Sequence, residues 1–200
     1  MIGKSIKTPW FSGAFTPEVS EYSFISPTAT LIGKVEVGKH VLVSPGASLR
    51  ADEGGTIHLS DNVNVQDNVI MHGLKDKAVQ RNGQNYSIFV GEKSSCAHAC
   101  IIHGPAAIGT NSFIGFNTVV HSSVIGDNCF VGHGAKVIGV TIPDGKFVPH
   151  GAIVTSVEEV AKLSEVPEDL KGFNAEVVEV NTDLAKSYLE AYGHMSPSFP

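Results

Sequence analysis

Aliphatic residues recur at every sixth position along most of the chain. The spacing runs from Ile25 to Leu49, resumes at Leu59 and Val90, and restarts after one-residue deletions at Ile125 and Ile142. The sixth-position slots hold Ile25, Leu31, Val37, Val43, Leu49, Leu59, Val65, Met71, Val90, Cys96, Ile102, Ile108, Ile114, Val120, Ile125, Val131, Val137, Ile142, Val148 and Val154. A repeat this short predicts one strand and one turn per unit, with the aliphatic side chain pointing inward.

Three hexads complete one triangular coil, and stacked coils bury a continuous aliphatic column. The sequence therefore predicts an all-β solenoid, a left-handed parallel β-helix of hexapeptide repeats, over residues 1–155 with 1–24 as an N-terminal lead-in. The polar, aperiodic stretch 73–87 contains Asn82-Gly83, so we expect a loop there.

The periodicity becomes helical after the last hexad. Residues 156–163 predict a short helix with Ser156 as its N-cap. A second helix is predicted from Asn174 to Tyr192, with a stripe formed by Val177, Asn181, Leu184, Tyr188 and Tyr192. We expect the helices of 156–192 to pack on the β-helix and 193–200 to be a disordered tail.

Composition agrees with a β architecture rich in turns, because glycine supplies 21 of 200 residues and charged residues only 17%. The net charge of −6 and the lack of any Lys/Arg run argue against nucleic acid or an anionic membrane as a partner. No segment approaches a membrane span, and the N-terminus lacks an apolar stretch of signal-peptide length. We expect a cytoplasmic protein; a signal peptide removed before residue 1 stays open as an alternative.

The three cysteines form no metal or disulfide motif. Cys96 occupies a sixth-position slot, whereas Cys100 and Cys129 each lie four residues after such a slot, at a position that small residues fill in other hexads. We therefore predict buried, structural thiols in a reducing compartment.

The stretch CAHACIIH contains His98 and His103 five residues apart, a spacing that suits neither a helix face nor a strand face. His72 and His103 follow aliphatic slots and can share one face of the triangle, whereas His98 belongs to another hexad. In a cyclic trimer, His98 of one copy could meet His72 and His103 of the next. Three imidazoles with an open fourth position suit a catalytic zinc.

The alternative is that these histidines are isolated polar residues with no common function. We expect that role for the other histidines, which are His40, His58, His121, His133, His150 and His194.

Four stretches resemble the γ-class carbonic anhydrases. They are RADEG (50–54), NVQDNVIMHGL (64–74), AHACIIHGPAAIG (97–109) and IGVTIPDGKFVPHGAIVTS (138–156). The resemblance implies a homotrimer with a metal at each subunit boundary, held by His72, His103 and a neighbour's His98. Three imidazoles and a water suit Zn²⁺, and also Fe²⁺ or Co²⁺, because nitrogen ligands discriminate weakly among these metals. The implied reaction is reversible hydration of CO2 to bicarbonate and a proton by metal-bound hydroxide.

The resemblance also implies roles for residues around the metal. Glu53 and Gln66 would orient the reactive water and assist proton transfer, although a structural role beside the metal stays open for Glu53. Asn181 matches an asparagine that lines the pocket for CO2 or bicarbonate.

Three further polar residues match positions at the subunit boundary. Arg50 and Asp52 correspond to residues that pair across the trimer interface, and Asn64 looks like a member of the same polar network.

One departure concerns the segment after His72. Prototype members carry a long acidic loop with a proton-shuttling glutamate, whereas Lys75 stands three residues after His72 and Asp76 is the only acid of the shorter loop. We expect slow proton release that added buffer can accelerate.

Two other functions stay open. An acyltransferase on the same repeat would use one histidine as general base and no metal. A non-catalytic γ-class scaffold is the second alternative, against which the presence of all three histidines with Glu53 and Gln66 counts.

Overall fold

The computed structural model describes residues 1–193, where consecutive strands enter three sheets in turn. Sheet 1 contains β1 (Ile2–Gly3), β4 (Thr30–Gly33), β7 (Ser48–Ala51), β10 (Ile70–His72), β15 (Ile101–His103), β18 (Val119–His121), β21 (Lys136–Ile138) and β24 (Ile153–Val154). Sheet 2 contains β2 (Glu18–Val19), β5 (Val35–Val37), β8 (Ile57–Leu59), β13 (Ile88–Val90), β16 (Ala106–Ile108), β19 (Val124–Ile125) and β22 (Thr141–Ile142). Sheet 3 contains β3 (Phe24–Ile25), β6 (Leu42–Val43), β9 (Asn64–Val65), β14 (Ser95–Cys96), β17 (Phe113–Ile114), β20 (Phe130–Val131) and β23 (Phe147–Val148).

All neighbouring strands within these three sheets are parallel, as a solenoid requires. Every sixth-position residue of the repeat belongs to one buried cluster along the axis of the solenoid. The predicted parallel β-helix of hexapeptide repeats is therefore confirmed. Residues 1–24 contribute β1 and β2 as well as the lead-in segment.

Part of the insertion within the repeat is a hairpin, so the prediction of a loop over 73–87 was wrong for residues 79–86, whereas residues 73–78 contain no strand or helix. Two antiparallel strands, β11 (Val79–Arg81) and β12 (Gln84–Tyr86), are joined by Asn82-Gly83. Both turn residues have positive φ, 51° and 76°, which is the conformation that two-residue hairpin turns need.

The C-terminal part is helical, as predicted. Helix α1 (Val157–Val160) starts at a capping box in which Ser156 and Glu159 bond each other's backbone. A short 3₁₀ turn spans Glu168–Leu170, and helix α2 (Phe173–Tyr192) lies along sheet 3. The predicted tail from residue 194 onward, including His194, lies outside the described residues.

The buried stripe of α2 differs from the predicted one. Ala185 is fully buried against Phe24 and Leu42, whereas Leu184 and Tyr188 are about 40% exposed. A small side chain lets the helix approach the sheet closely, and the larger side chains flank the contact. Tyr188 still stacks on Phe24, with ring centroids 4.9 Å apart.

The three cysteines are buried in the core, which agrees with their predicted structural role. Burial raises the pKa of Cys129 to about 11. In residues 1–193, no helix is both long and apolar enough to cross a bilayer.

Candidate metal centre

His72 and His103 face each other on adjacent strands of sheet 1. Strands β10 and β15 pair in register, with His72 opposite His103. Nδ1 of His72 lies 3.3 Å from Nε2 of His103. Nδ1 of His103 is 3.2 Å from the carbonyl oxygen of Gly104, a contact that keeps the proton on Nδ1 and a lone pair on Nε2. The prediction that His72 and His103 share one face of the solenoid is confirmed.

Glu53 lies beside this pair, at the corner that follows β7. Its Oε2 accepts a hydrogen bond from the backbone N–H of Lys75, 2.9 Å away. Its Oε1 is 3.3 Å from Nε2 of His72, a nitrogen that is buried and has no well-aligned hydrogen bond. The corner can turn here because Gly54 adopts φ +111°, with the ring of Phe11 packed where a side chain would begin.

His98 stands on the corner between sheet 3 and sheet 1, with about half of its side chain exposed. Its Nδ1 lies 2.9 Å from Oδ2 of Asp67, which leaves Nε2 directed to other partners. Its backbone N–H donates to Oε1 of Gln66 at 3.2 Å. The next residue, Ala99, has φ +59°, a left-handed conformation that alanine seldom adopts.

A cavity of about 550 Å³ opens beside His98, between sheet 3 and α2. Gln66, Asp67, His98 and Asn181 form its polar end. Nδ2 of Asn181 donates to the carbonyl of Val177 at 2.7 Å, so its side-chain oxygen stays available as an acceptor. The apolar end is lined by Phe24, Pro27, Leu42, Pro45, Leu184, Tyr188 and Tyr192.

The predicted catalytic residues, Glu53 and Gln66, and the predicted pocket residue Asn181 thus divide into two groups within one chain. Glu53 accompanies His72 and His103, whereas Gln66 and Asn181 accompany His98. No three His, Cys, Asp or Glu side chains within residues 1–193 come close enough to hold a metal ion.

The thiols that flank His98 in sequence are not candidate ligands. Cys96 and Cys100 point into the core, where both are fully buried. The pKa of Cys100 is raised well above its ordinary value, first by a side-chain hydrogen bond with Cys96 and then by burial. A thiol of this kind does not supply the thiolate that a metal requires.

The remaining predicted residues are less closely associated with the histidines. Arg50 pairs with Asp52 of the same chain, with Nη2 3.2 Å from Oδ2; pairing across an interface stays a prediction. Asn64 is buried on sheet 3, where its Nδ2 donates to Oγ of Ser95 at 2.6 Å. Among the described residues, no hydrogen bond joins Asn64 to the Arg50–Asp52 pair.

Sequence reasoning missed two residues of this region. Asp67 directly follows Gln66 in the motif NVQD, and its carboxylate is a partner of His98. His121 was expected to be a scattered polar residue, yet it lies opposite His103 on β18. A signal for His121 existed, since it directly follows the slot residue Val120 just as His103 follows Ile102.

Comparison with known proteins places the chain in a family, although no protein-family model matches it. It is 41% identical to the carbonic anhydrase of Methanosarcina thermophila, over 92% of this chain and 79% of that protein. It is 38% identical to the carboxysome assembly protein CcmM of Nostoc sp., over 91% of this chain but only 33% of CcmM.

A solved structure shares the fold at lower identity. The hexapeptide transferase family protein from Anaplasma phagocytophilum superposes with a TM-score of 0.69 at 21% identity, covering 88% of this chain and 94% of that one. At this identity the likeness concerns the fold alone. The resemblance carried by the sequence motifs and the match to the archaeal enzyme agree, and the chain belongs to the γ-class carbonic anhydrase family.

Proposed function

We propose that this protein is a metal-dependent carbonic anhydrase that hydrates CO2 reversibly at sites formed between copies of the chain. The observation that carries the proposal is that the three candidate ligands lie at two separate places on one chain. His72 and His103 form a facing pair on sheet 1, while His98 points outward from the next corner with its own carboxylate partner. A second copy can complete the set.

The donor atoms fit a zinc ion or a similar divalent metal. Two nitrogens bound to one tetrahedral zinc at about 2.0–2.1 Å lie about 3.3–3.4 Å apart. The 3.3 Å between Nδ1 of His72 and Nε2 of His103 agrees with this value. Three neutral imidazoles also suit Fe²⁺ and Co²⁺, so Zn²⁺ is our first choice among three.

A divalent metal held by His72, His103 and a neighbour's His98 would lower the pKa of its water to about 7 and so would supply hydroxide at neutral pH. The chain's own residues would hold and orient the reactants. Glu53, fixed by the Lys75 amide, would accept a hydrogen bond from the reactive water. Gln66, fixed by the His98 amide, keeps its NH2 group as a donor toward the substrate. Asn181 would contact CO2 or bicarbonate from α2.

The surface of sheet 1 supports a trimer. Beside the histidines runs an outward row in which Ile70, Ile101 and Val119 are consecutive aliphatic residues, followed by Lys136 and then Ile153. Ile70 and Ile153 are 44% and 58% exposed. Contiguous aliphatic side chains on a surface, such as Ile70, Ile101 and Val119, are typical of protein–protein contacts. In a cyclic trimer, each sheet 1 would face the His98 corner of a neighbour and create three equal sites.

Mixed trimers test this arrangement. The His98→Ala and His103→Ala variants should each lack CO2 hydration in stopped-flow assays. Co-expressed with different tags and purified through both, every mixed trimer contains one intact site of three, so about one third of wild-type turnover should return. Mixed trimers that stay inactive, or a chain that is monomeric with one metal, would overturn the proposal.

The similarity to CcmM favours one second candidate, a γ-class scaffold without significant turnover. Wild-type protein with one metal per subunit and no CO2 hydration would favour this role. The same assay therefore separates the two functions.

A further inference from the structure

His121 continues the row of imidazoles that His72 and His103 begin. β15 pairs with β18 so that His103 lies opposite His121. The two rings are perpendicular, at 90°, with centroids 5.1 Å apart. On the other side, the ring of His72 is also 5.1 Å from that of His103, at 73°. His103 is therefore the middle ring of three, with a near-perpendicular neighbour on each side.

The orientation of the His103 ring needs support from its neighbours. The last side-chain torsion of histidine has a broad energy profile, so it does not fix the ring plane by itself. The contact from Nδ1 to the Gly104 carbonyl restrains one atom of the ring. The edge-to-face contact with His121 restrains the plane, which is the arrangement that aromatic rings prefer.

The chemistry of His121 agrees with a packing role. Neither of its ring nitrogens bonds to another side chain or to the backbone in the described part of the chain, and the ring is partly exposed. The residue opposite it on β21 is Ile138, which offers no polar partner.

We propose that His121 is a positioning residue, whose ring holds the imidazole of His103 in the orientation that presents Nε2 to the metal. The inference rests on the proposed metal centre. Because the contact requires a flat ring and no titratable nitrogen, phenylalanine should replace His121, whereas alanine should not.

The test measures metal binding rather than turnover. Wild-type protein and the His121→Ala, His121→Phe and Ile138→Ala variants are titrated with Co²⁺ in competition with a chelator, and the visible spectrum of each Co²⁺ complex is recorded. Ile138→Ala is the matched control, since it removes a side chain from the same row without touching His103. His121→Ala should raise the Kd about 10-fold or more and alter the spectrum. His121→Phe should stay within about 3-fold of the wild type, as should Ile138→Ala.

The results distinguish a failure of the proposed metal centre from a failure of the proposed role of His121. Wild-type protein that binds no Co²⁺ would contradict the metal centre itself. If wild-type protein binds Co²⁺ and His121→Ala binds it equally well with the same spectrum, the role of His121 is wrong and the metal centre stands. Equal losses in His121→Ala and Ile138→Ala, or in His121→Ala and His121→Phe, also overturn the role. If His121→Ala fails to fold, His121→Leu takes its place as the variant without a ring.

Discussion

Oδ2 of Asp67 lies 2.9 Å from Nδ1 of His98, although 31 positions separate the two residues along the chain. The carboxylate fixes the proton on Nδ1, so the opposite nitrogen of the imidazole is free to bind a metal. Carboxylates in this position commonly strengthen a metal–histidine bond. Asp67 therefore has the same role for His98 as the Gly104 carbonyl has for His103. Each is the acceptor for Nδ1 and leaves Nε2 available to a metal.

Replacing this carboxylate should weaken metal binding. We expect Asp67→Ala to raise the Kd for Zn²⁺ about 10–100-fold, because His98 loses its acceptor. Asp67→Asn keeps one acceptor oxygen and should lose less. Competition with a chelator measures both values. Asp61→Ala is the control, since Asp61 caps a different corner through the Lys39 amide. Equal affinity of Asp67→Ala and wild type would contradict the role of Asp67.

Proton transfer should limit the rate at low buffer concentration. Lys75 holds Glu53 through its backbone, while its ammonium group lies 5.5 Å from the ring centre of Trp10, and it offers no carboxylate to carry protons. We expect kcat of the wild type to rise with imidazole concentration, because the buffer can act as the missing proton acceptor.

A glutamate at position 75 should supply an internal acceptor. Lys75→Glu is expected to raise kcat at low buffer by at least about 3-fold and to reduce the imidazole effect. Lys77→Glu makes the same charge change two residues away and serves as the control. A rate independent of buffer in the wild type would point to another internal proton acceptor.

The backbone beside His98 is strained at Ala99. Equivalent corners of other coils hold Gly46, Asn68, Asn117 and Gly134, all with positive φ as at Ala99. Ala99→Gly should therefore raise the free energy of unfolding of the metal-free protein by about 1 kcal/mol.

A glycine placed at an ordinary position should have the opposite effect. Ala135 is buried and is not among the residues with positive φ. Ala135→Gly should lower the free energy of unfolding by at least about 0.5–1 kcal/mol. Denaturant unfolding measures both variants, and destabilisation by Ala99→Gly would show that the corner is not strained.

Acid should destabilise the corners at His133 and His150, which follow His98 along the solenoid. Nδ1 of His133 accepts the backbone N–H of Phe116, and Nδ1 of His150 accepts that of His133, both at 2.9 Å. The pKa of His133 is lowered from 6.5, first by burial and then by the charge of His150. Stability from neutral His133 is therefore fully present above pH 6.5 and is lost as the pH falls through the lower folded-state pKa.

The variant His133→Gln tests this effect, because a glutamine oxygen can accept the same amide and does not titrate. Its melting temperature should fall less than that of the wild type between pH 7 and pH 5. His150→Gln, which removes the smaller of the two causes, should give an intermediate result. Parallel curves for wild type and His133→Gln would contradict the assignment.

The regular part of the fold could be predicted because each hexad repeats one physical requirement. Residues such as Leu31, Ile102 and Val137 all fill the same axial core, so their spacing alone identifies the coil. The hairpin was missed although Asn82-Gly83 is a strong hairpin signal. Its strands bear polar residues such as Gln80 and Asn85, so the alternation of apolar and polar residues that marks a half-buried strand is absent.

The site was predicted where a residue has a fixed place in the repeat. His72 and His103 follow slot residues, and strand register then brings them together. Contacts between side chains of neighbouring coils were harder to predict, because the number of residues between the two partners depends on the length of any insertion. Asp67 and His98 are 31 positions apart for this reason, whereas His103 and His121 are 18 apart.

Because its native thiols are buried, the protein is suited to site-specific labelling through an introduced cysteine. All three cysteines are buried, so their sulfur atoms are shielded from reagents in solution, and burial also raises the pKa of Cys129 to about 11. A cysteine substituted for exposed Gln80 on the hairpin would then be the sole rapidly alkylated group. A spin label attached there could report distances between copies of the chain without deletion of any native sulfur.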